Sequence, residues 1–223
     1  MPKLIGPDGN PLLDVLIVGA GQGGLGIAGL LMRERVTNIL VIDKESCGKE
    51  GIWNSHGRMP VIRSPKHYPG PDMGIPNLTY EAWHKAAYGS SSWDATTLVP
   101  IENWIKYLAW LQQTLNIPVQ NDTELLKIQP VGNAIKVTLR RLAKIESLYV
   151  RRIVLATGHD GTGEWWLPNY LVSLPTNLCA KASDPIKFSR FAGKKVAILG
   201  VGATAGDNAI CALQAGAEVH MFC

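Results

Sequence analysis

Two aliphatic runs, each closed by a glycine, organise this chain. Val15-Leu-Ile-Val18 leads into Gly19, and Val196-Ala-Ile-Leu199 leads into Gly200. Unbroken apolar runs bounded by glycine read as strands covered on both faces, where no polar alternation is needed. Each is followed by helical spacing; in the first helix Leu25, Ala28, Gly29, Leu31 and Met32 share one face. Asn38 to Ile42 is a further strand, so residues 14–43 read as strand, tight turn, helix, strand. From Lys194 the same order repeats and closes on Glu218-Val-His-Met-Phe-Cys223.

The stretch between these units has a different pattern. Residues 1–12 are punctuated by proline and glycine and read as a surface arm. From Cys47 to Asn77 the same residues are dense enough to exclude long regular elements. Two helices are expected over Tyr80 to Tyr88 and Ile101 to Leu115, the second with Trp104, Tyr107, Leu108 and Leu111 on one face. Strands follow at Thr123 to Gln129, Ala134 to Leu139 and Leu148 to Ala156, forming a meander opened by Val119-Gln120-Asn121. Turns are expected at Gly132-Asn133 and around Lys144, and residues 159–192 are loop-rich.

The expected fold class is α/β: two Rossmann-like dinucleotide-binding units, the second incomplete, with a small β-meander and a helical insertion. The expected domains are 1–160, and 161–223 as the start of a second nucleotide domain. Such a domain needs further βα units, so ending on an apolar strand reads as a truncation.

Composition excludes several classes. Across 223 residues the net charge is only +4, with lysines and arginines scattered. The pairs Arg140-Arg141 and Arg151-Arg152 read as solvated strand ends, not as a nucleic-acid face. Four cysteines (Cys47, Cys179, Cys211 and Cys223) form no C-x-x-C, so they read as buried or idle thiols rather than zinc or dithiol sites. Neither an 18-residue apolar run nor a signal-peptide core is present, so a soluble cytoplasmic protein away from membranes is expected.

The candidate chemistry lies in the glycines. Gly19, Gly21 and Gly24 follow the G-x-G-x-x-G pattern, with Ala20, Gln22 and Gly23 in the same turn. The first glycine permits the strand-to-helix turn, the second lets backbone approach a pyrophosphate, and the third lets helix and strand close up. The helix N-terminus adds unpaired N–H groups and a positive dipole end. Asp43, 24 positions after Gly19, is placed to accept ribose hydroxyls and disfavours a 2′-phosphate; Lys44 adjoins it. The second pattern, Gly200, Gly202, Thr204 and Ala205, begins 181 positions after the first. Two such turns point to a flavoprotein that binds FAD first and NADPH (or NADH) second.

The order of these elements, with Gly51-Ile-Trp53 and Ala156-Thr157-Gly158, resembles the flavin-containing monooxygenases and their Baeyer–Villiger and N-hydroxylating relatives. The resemblance covers roughly residues 14–64 and 150–223. It implies that Trp53 lies against the flavin and that Ala156, Thr157 and Gly158 return to the FAD site. Arg63-Ser-Pro-Lys66 stands where the family has an asparagine-bearing T-N-x-P-K stretch, so either Arg63 or Ser64 replaces the amide that helps hold a hydroperoxyflavin, or the oxygen chemistry differs. The family's arginines for a 2′-phosphate, and its returning strand and helix beneath the flavin, would lie past Cys223.

The activity so implied is oxygenation of a small molecule through a hydroperoxyflavin, with no side chain assigned as catalytic. The alternatives are an NAD(P)H-dependent flavin reductase without oxygenase activity, or a truncated binding subunit completed by a second chain or an oligomer. A disulfide reductase lacks its cysteine pair. His159-Asp160 reads as a loop pair satisfying local backbone before it reads as an acid–base pair, and Arg63, Lys66 and His67 as surface charges or contacts to flavin phosphates or substrate in equal measure. Trp83, Trp93, Trp104, Trp110, Trp165 and Trp166 are assigned to core or lid.

Overall fold

A computed structural model describes residues 4–163 and 166–223, without the side chains of Asp160 and Thr162. Trp165 and the Asp160 half of the His159-Asp160 pair therefore lie outside the described residues. In chain order the elements are β1 (Leu13–Val18), α1 (Gln22–Arg33), β2 (Ile39–Ile42), β3 (Val61–Pro65), α2 (Tyr80–Tyr88), α3 (Ser90–Ala95) and β4 (Leu98–Pro100). There follow α4 (Ile101–Thr114), β5 (Val119–Gln120), β6 (Thr123–Val131), β7 (Ala134–Arg141), β8 (Lys144–Leu155), α5 (Asn169–Val172), β9 (Lys195–Leu199), α6 (Ala203–Gln214) and β10 (Glu218–Phe222). They form two compact units, Met1–Gly51 with Val61–Thr162, and Ile52–Pro60 with Gly163–Cys223.

The first unit is built on a six-stranded sheet in the order β5-β2-β1-β8-β7-β6. β1 lies in its interior, parallel to β2 (Val15 opposite Ile39) and to β8 (Val18 opposite Leu155). That position explains its unbroken aliphatic run: Leu16 and Ile17, which point to opposite faces, are both fully buried. Leu16, Val18 and Ile42 pack with Val137, Leu139 and Val150 into one cluster, so the meander supplies part of the sheet's core. β8 serves both structures. Up to Val150 it pairs antiparallel with β7, and from Val150 it pairs parallel with β1. The chain thereby delivers Ala156-Thr157-Gly158 to the end of β1.

Several elements differ from expectation. Val119-Gln120 does not open the meander; β5 pairs parallel with β2, Val41 opposite Val119, a long-range choice that local pattern does not encode. The short helix α3 was not expected, since serine favours caps and turns over helix interiors. β3 and β4 form a short antiparallel ribbon that was not anticipated, though β3 is no longer than the glycine- and proline-rich stretch was expected to allow. On α1, Gly24, Leu25, Ala28 and Gly29 are buried, while Leu31 and Met32 are half-buried. Leu12, placed in the surface arm, is buried. Of the two readings of the cysteines, burial is not met, since Cys47 and Cys223 are exposed and Cys179 and Cys211 half-buried, while all four are free thiols.

Helices α2 and α4 were anticipated closely, and Trp104, Tyr107, Leu108 and Leu111 are the buried face of α4. Thr79 caps α2 by accepting from the Ala82 N–H at 3.2 Å. Tyr80, Trp93, Trp104 and Tyr107 form an aromatic core, with Tyr80 5.5 Å from the rings of both Trp104 and Tyr107. Burial pushes the Tyr80 hydroxyl up to about 12 and raises that of Tyr107 further. Lys66 is part of this core, its Nζ donating to the Trp93 carbonyl and lying 4.4 Å from the centre of that indole.

The second unit is a parallel strand pair, β9 with β10 (Lys195 opposite Glu218, Leu199 opposite Phe222), joined by α6. Arg58 ties the segment Ile52–Pro60 into it. Its guanidinium donates to the Ala182 carbonyl, to the Asp184 carbonyl at 2.6 Å and to Asn208 Oδ1 at 3.0 Å, and lies over Phe188. Among the described residues no helix is long and apolar enough to cross a membrane, and no three side chains form a metal cluster.

His84 makes the aromatic core pH-sensitive. It is only 2% exposed, with Nδ1 3.3 Å from the Tyr80 hydroxyl and Nε2 3.1 Å from the Ser92 hydroxyl. Burial, and then the Lys66 charge, hold its pKa below the ordinary 6.5. Below that value the unfolded chain binds the extra proton first, so His84 costs stability as pH falls. Thermal unfolding is expected to show a Tm that declines from about pH 7 to about pH 5, and His84→Gln should remove part of that slope. Equal slopes in the two proteins would contradict this.

Candidate functional site

Gly19 turns the chain at the end of β1 with φ +106°, a region open to glycine, and its N–H donates to the Ile42 carbonyl at 2.7 Å. A Cβ at Gly19 would sit 2.4 Å from the Ala156 carbonyl oxygen, and one at Gly24 would sit 1.8 Å from the Gly19 carbonyl oxygen. Strand, turn and helix are therefore wedged together at two backbone contacts that no side chain can enter. Gly23 differs, since a Cβ there would meet nothing within 4 Å. It borders the open side of the turn.

Gly21 begins α1 in extended conformation without a side-chain cap, and the first turn holds no acidic residue. The first intrahelical bond is donated by Leu25 to the Gly21 carbonyl. N–H groups upstream of it point out of the helix end, which is the arrangement that attracts a phosphate.

Asp43 does more here than the sequence assigned to it. At 8% exposed, its Oδ2 accepts from the Ala20 N–H at 2.7 Å and its Oδ1 from the Glu45 N–H at 2.9 Å. The carboxylate thus braces the turn from the end of β2, and each oxygen keeps a further lone pair for a ribose hydroxyl. Lys44 beside it is exposed, 4.0 Å from Glu45, and borders a shallow groove with Asp122, Glu124, Arg140 and Leu142. From the other side come Ala156 and Thr157, followed by Gly158 at φ +75°. Thr157 Oγ1 is buried with no hydrogen-bond partner among the described residues, and a Cβ on Gly161 would lie 2.5 Å from it. An unpaired buried hydroxyl costs about 1–3 kcal/mol, which a polar ligand atom would offset. The glycine cradle and this hydroxyl both fit a dinucleotide.

Ten of the expected site residues thus come together or adjoin: Gly19 to Gly24, Asp43, Lys44, Ala156 and Thr157. Arg63 lies on β3 of the same unit. Trp53 belongs to the second unit, in a turn closed by Ser55 and Gly57 N–H groups on the Ile52 carbonyl.

The second turn repeats the first with looser packing. Gly200 has φ +113° and donates to the Phe222 carbonyl at 2.8 Å. Gly202 begins α6 without a side-chain cap, and no acid occupies the first turn. Ala205 holds the place of the third glycine; a Cβ on Gly200 would still clear its methyl by 3.9 Å. The Thr204 carbonyl accepts from Asn208 Nδ2 at 2.7 Å.

Sequence reasoning missed the loop over α1. Asp72, 4% exposed, accepts from the Gly70 and Gly74 N–H groups, both at 2.9 Å, and stiffens residues 69–74. The loop rests on α1 because Gly26 and Gly29 are bare: a Cβ would lie 3.3 Å from Pro71 and 2.1 Å from the Met73 sulfur respectively. Two glycines inside a helix, each costing about 1 kcal/mol against alanine, were the available signal. Between loop and helix lies an open depression of about 300 Å3, reaching Gln22, Gly23 and Trp104.

Two alanine substitutions separate structure from binding. Gly24→Ala is expected to destabilise the fold by about 1–3 kcal/mol or more through its clash with Gly19. Gly23→Ala should leave stability unchanged or raise it by up to about 1 kcal/mol, yet weaken dinucleotide binding at least about tenfold. Denaturant unfolding paired with ligand titration checks both, and a Gly23→Ala protein with unimpaired binding would contradict the assignment.

Comparison with known proteins agrees with this geometry. The chain is 44% identical over 211 residues to the FAD-dependent urate hydroxylase of Xanthomonas campestris pv. campestris, covering 94% of this chain and 44% of that protein. The structure of ornithine hydroxylase from Pseudomonas aeruginosa superposes with a TM-score of 0.73 at 18% identity, over 95% of this chain and 54% of that one. A cadaverine monooxygenase of desferrioxamine biosynthesis from Erwinia amylovora, solved with FAD bound, gives a TM-score of 0.71 at 16% identity, over 95% and 51%. The two solved structures share the fold, and the chain spans less than half the length of the curated relative. Residues 16–223 match the pyridine nucleotide-disulphide oxidoreductase family, and the chain belongs to that family.

Proposed function

We propose that the Gly19 turn holds the pyrophosphate of FAD and that the Gly200 turn serves NADPH or NADH, in a flavoprotein monooxygenase acting on a small molecule. The observation that carries this reading is the first turn, where backbone is packed too tightly for any side chain while its outer edge at Gly23 stays open. The 44% identity to a protein named as an FAD-dependent hydroxylase supports the choice of cofactor and chemistry.

In this reading the N–H groups of Gly21, Gln22 and Gly23 bind the pyrophosphate, aided by the positive end of α1. Asp43 accepts from the ribose while it holds Ala20 in place, and Lys44 flanks the adenosine end. Thr157 gives its buried hydroxyl to a polar atom of the cofactor, and Arg63 contributes positive charge from β3. When bound, FAD would supply the redox chemistry, in which NAD(P)H is the two-electron reductant and one oxygen atom of O2 ends on the substrate while the other leaves as water. The protein's share is placement and exclusion of water, which accounts for the absence of an acid–base pair among the proposed site residues.

The second reading, an NAD(P)H-dependent reductase without oxygenase activity, is favoured by one feature: Arg63-Ser-Pro-Lys66 lacks the expected amide. Two measurements decide. The purified protein should carry absorbance bands near about 370 and 450 nm from FAD; a colourless protein that rejects added FAD overturns the proposal in favour of a binding subunit. With urate as the first substrate tested, aerobic NADPH oxidation should match substrate consumption. Stoichiometric hydrogen peroxide with intact substrate across a panel of urate, amines and thioethers would establish the reductase instead.

A further inference from the structure

We infer that Trp104 is a positioning residue for the first nucleotide turn, acting through Gln22; the inference rests on the reading that this turn binds FAD. Gln22 is the first residue of α1, beside the open edge at Gly23. The indole Nε1–H of Trp104 donates to Gln22 Oε1 at 3.2 Å, joining residues 82 positions apart. An indole N–H only donates, so the atom facing it is the amide oxygen and not the nitrogen.

That orientation matters electrostatically. An amide oxygen turned toward an anion site opposes phosphate, whereas an amide N–H2 favours it. Trp104 holds the oxygen against its own N–H, and the planar amide must then direct its nitrogen away from the indole.

The indole is itself held firmly. It is 8% exposed, with ring centres 5.5 Å from Tyr80 and 5.1 Å from Tyr107. Tyr107, fully buried, donates its hydroxyl to the Leu78 carbonyl at 2.7 Å. A Cβ on Gly70 would stand 3.0 Å from the far edge of the Trp104 ring, so the 69–74 loop closes on its other side. The helical insertion thus reaches the cofactor turn through one hydrogen bond whose donor cannot swing away.

The test is a double-mutant cycle on FAD affinity, read by quenching of flavin fluorescence on the purified protein. Trp104→Phe keeps an aromatic ring and deletes the donor; Gln22→Met keeps length and deletes the acceptor. Each is expected to raise the FAD Kd about threefold to tenfold, the worth of one such bond. In the Gln22→Met background Trp104→Phe should add nothing further.

A purely structural Trp104 would lower Tm and affect Kd equally in both backgrounds, which overturns the inference. Gln22→Asn keeps the amide but falls short of the indole, and it reads the same bond without touching the aromatic core. It should match Gln22→Met, and wild-type affinity in Gln22→Asn overturns the inference. Wild-type protein that fails to bind FAD sinks the functional reading and this inference together; wild-type binding with unaffected variants sinks this inference alone.

Discussion

The structure depends on one close approach. The carbonyl of Gly19 lies where a side chain at Gly24 would have to go, and the carbonyl of Ala156 lies where a side chain at Gly19 would have to go. These two exclusions bring α1 down onto β1 and bring the end of β8 against the same turn. Leu16 and Ile17, on the strand that leads into this turn, are fully buried. A side chain at either glycine would push helix or strand outward and open the core behind it. Stability and the shape of the candidate site thus follow from a single steric constraint.

Asp43 extends that constraint electrostatically. Its carboxylate takes the Ala20 N–H, a backbone donor in the turn, and the Glu45 N–H just beyond β2. The proposed role as a ribose acceptor would be added to this structural one. The second turn has the same skeleton, a glycine of positive φ bonded back to the neighbouring parallel strand, but it accepts Ala205 where the first requires Gly24. The same turn occurs twice at different tightness.

What could be read from sequence divides along physical lines. The interior strands and the aromatic face of α4 were legible because burial writes a periodicity into consecutive residues. The glycine turns were legible because backbone conformation and close approach restrict residue type. The pairing of β5 with β2 was not, since a parallel partner comes from distant sequence and leaves no local mark. Neither was the placement of the cysteines, two exposed and two half-buried, which composition alone does not determine. Asp43 was legible as an acid closing β2, but its two hydrogen bonds from backbone N–H groups leave no mark in the sequence. The Thr157 hydroxyl could be named from its motif, whereas its lack of a partner among the described residues is a three-dimensional fact.

The central claim is that the tightly packed β1–α1 turn leaves its outer backbone edge for a pyrophosphate. A crystal structure of the protein grown with FAD tests it most directly. Pyrophosphate oxygens are expected within hydrogen-bonding distance of the Gln22 and Gly23 N–H groups, with a ribose hydroxyl on Asp43. An adenine dinucleotide bound elsewhere, with side chains or solvent alone at this turn, would contradict it.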